Sequence, residues 1–434
     1  LRHCFPTADG FRHFPTPFPA ANVCFTSHRT RGLPSMLDTS FSRRQFIKSS
    51  AVAFAAPLIL PGRVWAQASA PGKRLTLGCI GMGRMMNSHL GNFLNRDDVE
   101  VVAVCDVDTT RREHALGRVQ RAYSEASGTT YKGVKAYTDF REVIARSDID
   151  AVVIATPDHW HAYIAIAAVS AGKDVYCEKP LTYNIHEAVK LMEAVRRHNR
   201  VLQTGSQQRS SKEFRVAAEL VRNGVLGRIT AVHVSFGDPA GPYKEPAAEM
   251  EPGLDWEMWC GPGPLVDYSP FLSPRGVHNN FPDWRKTREF GGGMITDWGA
   301  HHIDIAQWAL NADSSGPVEV RAPQNWETAK RGAQLVYRDG VVLSHVRGKG
   351  ASFYGSEGEV HVNRGKFELI MDGKKVRRFW DKESDPGTSM DREVVLTQRE
   401  YLADAKIKLY ESSSHFQDFL DCVKSRKRPI CDVE

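Results

Sequence analysis

The chain has 434 residues, with 57 Lys and Arg against 51 Asp and Glu, a formal net charge of +6. Its 41% apolar and 25% charged residues are an ordinary globular balance, which excludes a disordered or collagen-like chain, and the length suffices for two or three domains with a real core. The excess charge is confined to residues 1–68, which hold eight basic and two acidic side chains, whereas residues 69–434 balance at 49 of each. The body of the protein therefore lacks the basic excess that a nucleic-acid partner would need.

Within the first segment, Ser42-Arg43-Arg44-Gln45-Phe46-Ile47-Lys48 is a twin-arginine pattern, followed by the apolar run Ala51–Leu60. Ala66-Gln67-Ala68 or Ala68-Ser69-Ala70 supplies a small-residue cleavage site. The order predicts an export signal, the twin-arginine machinery as a partner, and a periplasmic or otherwise exported location. Ten apolar residues cannot span a bilayer core of ~30 Å, and no later run is long enough, so no transmembrane segment is expected. Met36 is a natural start, which makes residues 1–35 upstream read-through and residues 1–68 a removed leader. That export route carries folded, cofactor-loaded proteins, so a cofactor site is expected in the body of the protein. Six of the eight cysteines lie beyond the leader and none forms C-x-x-C. Cys79, Cys105 and Cys177 fall in apolar strands, the usual place of inert thiols.

From Leu75 strands and helices alternate. Leu75–Ile80 is a short apolar strand ending in Gly81-Met82-Gly83, and a helix pattern runs from Met85 to about Leu94. Val99–Cys105 is a second strand, closed by Asp106. Asp150–Ala155 leads to Thr156-Pro157-Asp158 and an Ala-rich helix from about His161 to Ala171. Asp174–Cys177 ends at Glu178-Lys179-Pro180, and Ile185–Asn199 is amphipathic with Ala188, Leu191, Met192 and Val195 on one face. The alternation predicts an α/β fold, a doubly wound parallel sheet over residues 73–205.

Gly81 and Gly83 stand between the first strand and the first helix, where a dinucleotide fold needs them. Gly81 permits the tight turn, and Gly83 lets a pyrophosphate approach the backbone and the helix N–H groups. Met86 occupies the third position of that fingerprint. Asp106, 25 residues after Gly81, is placed to accept from ribose hydroxyls. A carboxylate there repels a 2′-phosphate and favours NAD, while Arg111 and Arg112 keep NADP open.

After Gln203-Thr204-Gly205 the pattern changes. Helix Glu213–Asn223 precedes the strand Ile229–Phe236 and a Pro-, Gly- and Trp-rich loop over 237–293. A helix from Asp297 to Leu310 comes next, and then strands: Val318–Arg321, a hairpin over Ala333–Val346 turning at Asp339-Gly340, and Ser352–Phe367. Residues 206–434 are expected to form an α+β domain with a large, mostly antiparallel sheet suited to hold a substrate against the first domain.

Two stretches carry chemistry. Lys179, at the end of a parallel strand, can hydrogen-bond a substrate hydroxyl and stabilise a developing alkoxide, or it can be a solvated surface lysine. Asp297 and His301 lie four apart on one helix face, so the carboxylate can orient an imidazole that takes a carbinol proton. A capping Asp and a packed His have the same spacing. A metal set from Asp297, His301, His302 and Asp304, or from His159 and His161, has no H-E-x-x-H or cysteine support, and no metal is expected.

Together, Gly81-Met82-Gly83, Thr156-Pro157-Asp158-His159-Trp160-His161, Glu178-Lys179-Pro180 and Asp297-x-x-x-His301 resemble the Gfo/Idh/MocA family, from about Leu75 onward. The Tyr354–Gly358 and His415–Cys431 stretches resemble it as well. The resemblance implies a Rossmann domain binding NAD or NADP through Gly81, Met82, Gly83, Arg84, Met85 and Asp106. Thr156, Pro157, His161, Glu178, Lys179 and Gln207 would line the nicotinamide pocket. Lys179, Asp297 and His301 would be catalytic, with His301 as general base. His302, and from the long loop Trp256, Trp259, Trp284 and Arg285, are further candidates for stacking on a carbohydrate and contacting its hydroxyls, with core packing an equal reading for each of the loop residues. A homo-oligomer and a tightly held cofactor are also implied. The chain departs from the family at Met86 and stops at Cys431-Asp432-Val433-Glu434, where members usually continue, which reads as a truncated C-terminus.

The activity expected is NAD(P)-dependent hydride transfer between a sugar or polyol carbinol and the nicotinamide. A redox-neutral glycosidase using the same Lys179 and His301 is the alternative. A non-catalytic cofactor- or sugar-binding protein is the third reading, and the complete Lys179, Asp297 and His301 set speaks against it.

Overall fold

The structure is a computed structural model that describes residues 74–348, 350–377 and 389–434; the twin-arginine pattern and cleavage sites lie outside them. Strands β1 (Leu75–Ile80), β2 (Val99–Cys105), β3 (Lys135–Tyr137), β4 (Ala151–Ile154), β5 (Asp174–Cys177) and β6 (Leu202–Thr204) form one sheet in the order β3-β2-β1-β4-β5-β6. Every neighbouring pair is parallel. A parallel sheet must be covered on both faces, and β4 and β5 are buried along their whole length. One layer packs Leu77, Val101 and Val153 with α1 (Arg84–Leu94) and α2 (Thr109–Ser127). The other packs Ile80, Val152 and Val175 with α3 (Phe140–Ile144), α4 (Asp158–Ser170) and α5 (Ile185–Arg197). Helix α2 and strand β3 were not anticipated from the sequence.

Strand order reverses between β1 and β4, so the turns after β1, β4 and β5 open on a common edge. That edge is where open α/β sheets bind ligands. It carries Gly81, Thr156 and Glu178.

The second sheet has eight strands in the order β14-β13-β12-β11-β7-β10-β9-β8. In chain order they are β7 (Ile229–Val234), β8 (Glu319–Arg321), β9 (Gln334–Val336), β10 (Val342–His345), β11 (Ala351–Gly355), β12 (Gly358–Asn363), β13 (Lys366–Met371) and β14 (Lys374–Lys375). Only β7 and β10 pair in parallel. Alternation decides the faces: Val232, Val234, Phe353, Val360 and Val362 point into one core under α6 (Lys212–Arg222) and α9 (Gly299–Ala309). Helix α10 (Met390–Tyr401) adds Val394 to the same core, and the short α7 (Trp256–Cys260) lies within the long loop. The stretch 352–367 folds as two successive hairpins.

Two differences from expectation bear on function. The helix expected from Asp297 to Leu310 is divided at Trp298 into α8 (Met294–Asp297) and α9, which separates Asp297 from His301. The chain's last described helix, α11 (His415–Ser425), does not stay with the second sheet. Its Phe419, Leu420, Cys422 and Val423 enter the core of the first sheet, and Arg426 pairs with Asp174 at the start of β5. The six described cysteines are free and buried, and burial pushes the Cys79 thiol up to about 12. Among the described residues no helix is long and apolar enough to cross a membrane.

Phe419 is fully buried against the first sheet. Phe419→Ala is expected to destabilise that domain by about 3–5 kcal/mol, read as a lower urea midpoint by circular dichroism.

Candidate active site

The turn after β1 is built for close approach. Gly81 has φ +83°, and a Cβ there would lie 2.7 Å from the Thr156 amide nitrogen and 2.8 Å from the Ala155 carbonyl carbon. A Cβ on Gly83 would meet nothing within 4 Å, so its face opens into the cleft. Gly83 caps α1 without a side-chain bond, leaving first-turn N–H groups available to an anion. Asp106, at the end of β2, accepts from Met82 N at 2.6 Å and Asp108 N at 2.8 Å. Burial pushes its carboxyl up against the pull of Arg111 and those two amides. A turn crowded at Gly81, open at Gly83 and followed by a fixed carboxylate fits a dinucleotide. Arg84, the first residue of α1, lies over the Phe281 ring at 3.9 Å from its centroid.

One cleft runs from this turn to the end of β5. Gly81, Gly83, Arg84, Met85 and Asp106 line one end; Thr156, Pro157, His161, Glu178, Lys179, Trp284, Arg285 and Asp297 line the rest. Its outer wall comes from the Pro- and Gly-rich loop of the second domain, including Leu272, His278 and Phe281. Arg111 fastens this loop, donating to Gly276 O at 3.1 Å and Ser273 Oγ at 3.3 Å and also bonding Pro274 O. Arg112 donates to Asp106 O at 2.9 Å and Thr109 Oγ1 at 3.1 Å. Both arginines are thus engaged by the protein.

At the far end Lys179 and Asp297 meet. Lys179 Nζ donates to Asp297 Oδ1, and Arg285, from the turn Asp283–Lys286, donates to Oδ2 of the same carboxylate. Lys179 Nζ is also 3.4 Å from the Asp297 carbonyl. Burial lowers the Lys179 pKa, aided by the Arg285 and Arg364 charges and opposed by Glu178 and Asp158. The Lys179–Pro180 peptide is cis.

His301 lies on α9, past Trp298, which parts that helix from α8, while the Asp297 carboxylate takes the two cations. His301 is 4% exposed and its Nδ1 has no partner among the described residues. Burial first, then the charges of Lys179 and Arg364, push its pKa down to about 2. Arg364, from the β12–β13 turn, stacks on Trp298 at 4.6 Å. Gln208, with its amide set by these neighbours, donates to His301 O at 3.0 Å and accepts from Arg364 Nε at 3.2 Å.

The other expected residues divide into the cleft wall and its support. Glu178 accepts from Gln207 Nε2 at 2.9 Å and pairs with His89 Nε2 at 2.8 Å. Burial alone would raise Glu178, but His89 and the Lys179 charge outweigh it and hold the carboxyl at about 2. Gln207 acts from behind Glu178. His161 joins two turns, its Nδ1 2.8 Å from Pro180 O and its Nε2 2.9 Å from Thr156 O. The Met82 side chain is in the core, so only its amide serves Asp106. His302 faces Ser235 O at 2.7 Å and does not line the cleft, because α9 directs it toward β7. Trp256 stacks on Trp259 at 4.5 Å and donates to Val266 O, a packing role; Trp259 and Trp284 reach the cleft wall. Among the described residues no cluster of three or more His, Cys, Asp or Glu could hold a metal ion.

Sequence reasoning missed His89, Asp158 and Arg364. Asp158 opens α4 immediately after the Thr156-Pro157 turn and lines the cleft at 4% exposure. A charged residue at a strand-to-helix turn on the ligand edge was the available signal. His89 and Arg364 had none, because neither neighbours the site in sequence.

Two family profiles match the chain: "Oxidoreductase family, NAD-binding Rossmann fold" over residues 75–206 and "Oxidoreductase family, C-terminal alpha/beta domain" over residues 215–392, both of the Gfo/Idh/MocA group. The myo-inositol 2-dehydrogenase of Thermotoga maritima is 32% identical over 168 residues, 39% of this chain and 47% of that protein. A glycosyl hydrolase family 109 protein of Stenotrophomonas maltophilia is 30% identical over 218 residues, 47% of this chain and 46% of that protein. The chain spans about half the length of the curated relatives it matches. Among solved structures, the aldose–aldose oxidoreductase of Caulobacter crescentus complexed with glycerol superimposes with a TM-score of 0.52 at 16% identity, covering 83% of this chain and 92% of that one.

The two glycines make separable predictions. Gly81→Ala forces a side chain against the Thr156 backbone and is expected to lower both the melting temperature and NADH affinity. Gly83→Ala meets no protein atom, so the melting temperature stays while NADH binding, read by fluorescence titration, weakens about 10-fold or more.

Proposed function

We propose that this chain, which belongs to the Gfo/Idh/MocA family of NAD-binding oxidoreductases, transfers a hydride between a sugar or polyol carbinol and a nicotinamide cofactor. The observation that carries the reading is Lys179, held on Asp297 in the same cleft as the dinucleotide turn. Bound nicotinamide would accept or return the hydride at the carbinol carbon. Lys179 donates to the substrate oxygen and stabilises the charge that develops there. Asp297 and Arg285 fix the ammonium in place, which preorganises that donor. His301, in its neutral form, would take the hydroxyl proton as general base. Trp284 presents an apolar face suited to a pyranose ring.

NAD is the cofactor we favour. Asp106 would face the ribose hydroxyls, and Arg111 and Arg112 are bound to loop carbonyls and hydroxyls instead of standing ready for a 2′-phosphate. The loop that Arg111 fastens over the cleft supports tight retention of the cofactor. Export by the twin-arginine route belongs to the same proposal and rests on residues 42–70, as does assembly into a homo-oligomer through the second domain on the family resemblance. Replacing Arg43 and Arg44 together by Lys is expected to leave the protein in the cytoplasmic fraction.

A second reading, a redox-neutral glycosidase, is favoured by the glycosyl hydrolase family 109 relative. The same Lys179 would serve it.

Purified protein, assayed with NAD against myo-inositol, a set of aldohexoses and aryl glycosides, separates the readings. Net NADH absorbance supports the dehydrogenase; aglycone release without net NADH supports the glycosidase; neither refutes both. With the active substrate, Lys179→Ala is expected to lower kcat by about 100-fold or more.

A further inference from the structure

Arg364 reaches the helix of His301 from the second sheet, at the turn between β12 and β13. Its guanidinium stacks on Trp298 at 4.6 Å, and its Nε donates to the Gln208 amide oxygen at 3.2 Å. Both partners also touch His301. The Gln208 amide nitrogen donates to His301 O at 3.0 Å, and the Trp298 and His301 rings lie 6.2 Å apart, centroid to centroid. Arg364 is thus one side chain removed from His301 by two separate routes.

What the guanidinium lacks is an anion. Stacking and the Nε bond hold it, but neither Nη group has a partner among the described residues, and the side chain is exposed to an incoming ligand. No described carboxylate forms an ion pair with it. The acids nearby are already placed. Asp297 is shared by Lys179 and Arg285, and Glu178 is turned to His89 and Gln207. Asp158 is the remaining acid on the cleft wall beside Lys179, and burial pushes its carboxyl up to about 7. The Arg364 charge reaches Lys179 and His301 and helps to lower both pKa values. An ordinary surface arginine swings freely in water. This one is fixed at its ring face and its Nε, so the two Nη groups stand as a fork of the kind that takes two oxygens of a carboxylate or phosphate.

We propose that Arg364 binds substrate and that the substrate is an acidic sugar, whose carboxylate or phosphate takes the Arg364 fork while its reacting carbinol lies between Lys179 and His301. The inference rests on the hydride-transfer reading and narrows its substrate class. A sugar presents several similar hydroxyls, and a single lysine contact does not choose among them. Attachment at Lys179 and at Arg364 fixes the ring at two points and decides which carbinol faces the nicotinamide. The acid group stays away from the reacting carbon, so the binding energy it supplies is used for orientation.

The test uses the full protein with NAD and matched pairs that differ in the acid group: glucose against glucuronate, galactose against galacturonate, and glucose against glucose 6-phosphate. In at least one pair kcat/KM is expected to favour the acid by about 10-fold or more, and the pair concerned tells whether the fork takes a carboxylate or a phosphate. The preference is expected to shrink as ionic strength rises. Arg364→Gln is expected to lower it by about 10-fold, chiefly through KM, and Arg364→Lys, which keeps the charge without the fork, to hold an intermediate value. Melting temperature and NADH titration show that each variant is folded. A wild type that treats both members of every pair alike, or prefers the neutral ones, overturns the proposal, as does a folded Arg364→Gln or Arg364→Lys protein with the full wild-type preference. Wild-type protein that reduces NAD with no member of any pair and not with myo-inositol refutes the hydride-transfer reading itself, a different result from an active enzyme indifferent to the acid group.

Discussion

Asp297 binds Lys179 with one oxygen and Arg285 with the other, and the Lys179 end of the cleft depends on that shared carboxylate. Lys179 comes from the end of β5 in the first sheet, while Asp297 and Arg285 come from the second domain. Two cations brought together out of bulk water repel unless an anion lies between them, and breaking such a buried pair costs about 3–5 kcal/mol. The ion pair therefore orients the ammonium and also joins the two domains at the point where substrate would sit.

That commitment sets the protonation of everything nearby. Positive charge from Lys179 and Arg364, added to burial, keeps His301 neutral. Glu178 is held ionised by His89 and Lys179 despite its burial. Asp158 has the same burial without a hydrogen bond, and its pKa moves the other way, to about 7. The same buried neighbourhood thus lowers the Glu178 and His301 pKa values and raises that of Asp158. Pairs of titratable groups pushed apart by their surroundings are how a site obtains both acid and base near neutral pH.

Much of this was legible in the chain, for local reasons. The glycine pair, Asp106 and the Glu178-Lys179-Pro180 turn each sit where an apolar strand gives way to a helix or turn, and the strand periodicity places them on one sheet edge. Helix α2 escaped notice because its buried Ala115, Val119 and Tyr123 are scattered among charged residues. The helix drawn through Asp297 and His301 failed because spacing alone does not reveal a break at Trp298. Trp256 and His302 were chosen by residue type, and type does not distinguish a stacking surface from a packed core. The return of α11 to the first sheet had no local signal, since its apolar stripe would pack as well against either domain.

The sequence by itself determined the doubly wound first domain, the sheet-rich second one, the dinucleotide turn, the family resemblance and the confinement of excess charge to the first 68 residues. Those features are written in short-range patterns of period, glycine and charge. Tertiary structure alone decided that Lys179 meets Asp297 across 118 residues, that Arg111 holds a loop over the cleft, and that Asp158 lies buried on the cleft wall within reach of the Lys179 and Arg285 charges. Hydrogen-bond partners and pKa values depend on which distant groups share a buried volume, and that is fixed only when both domains close on the same edge.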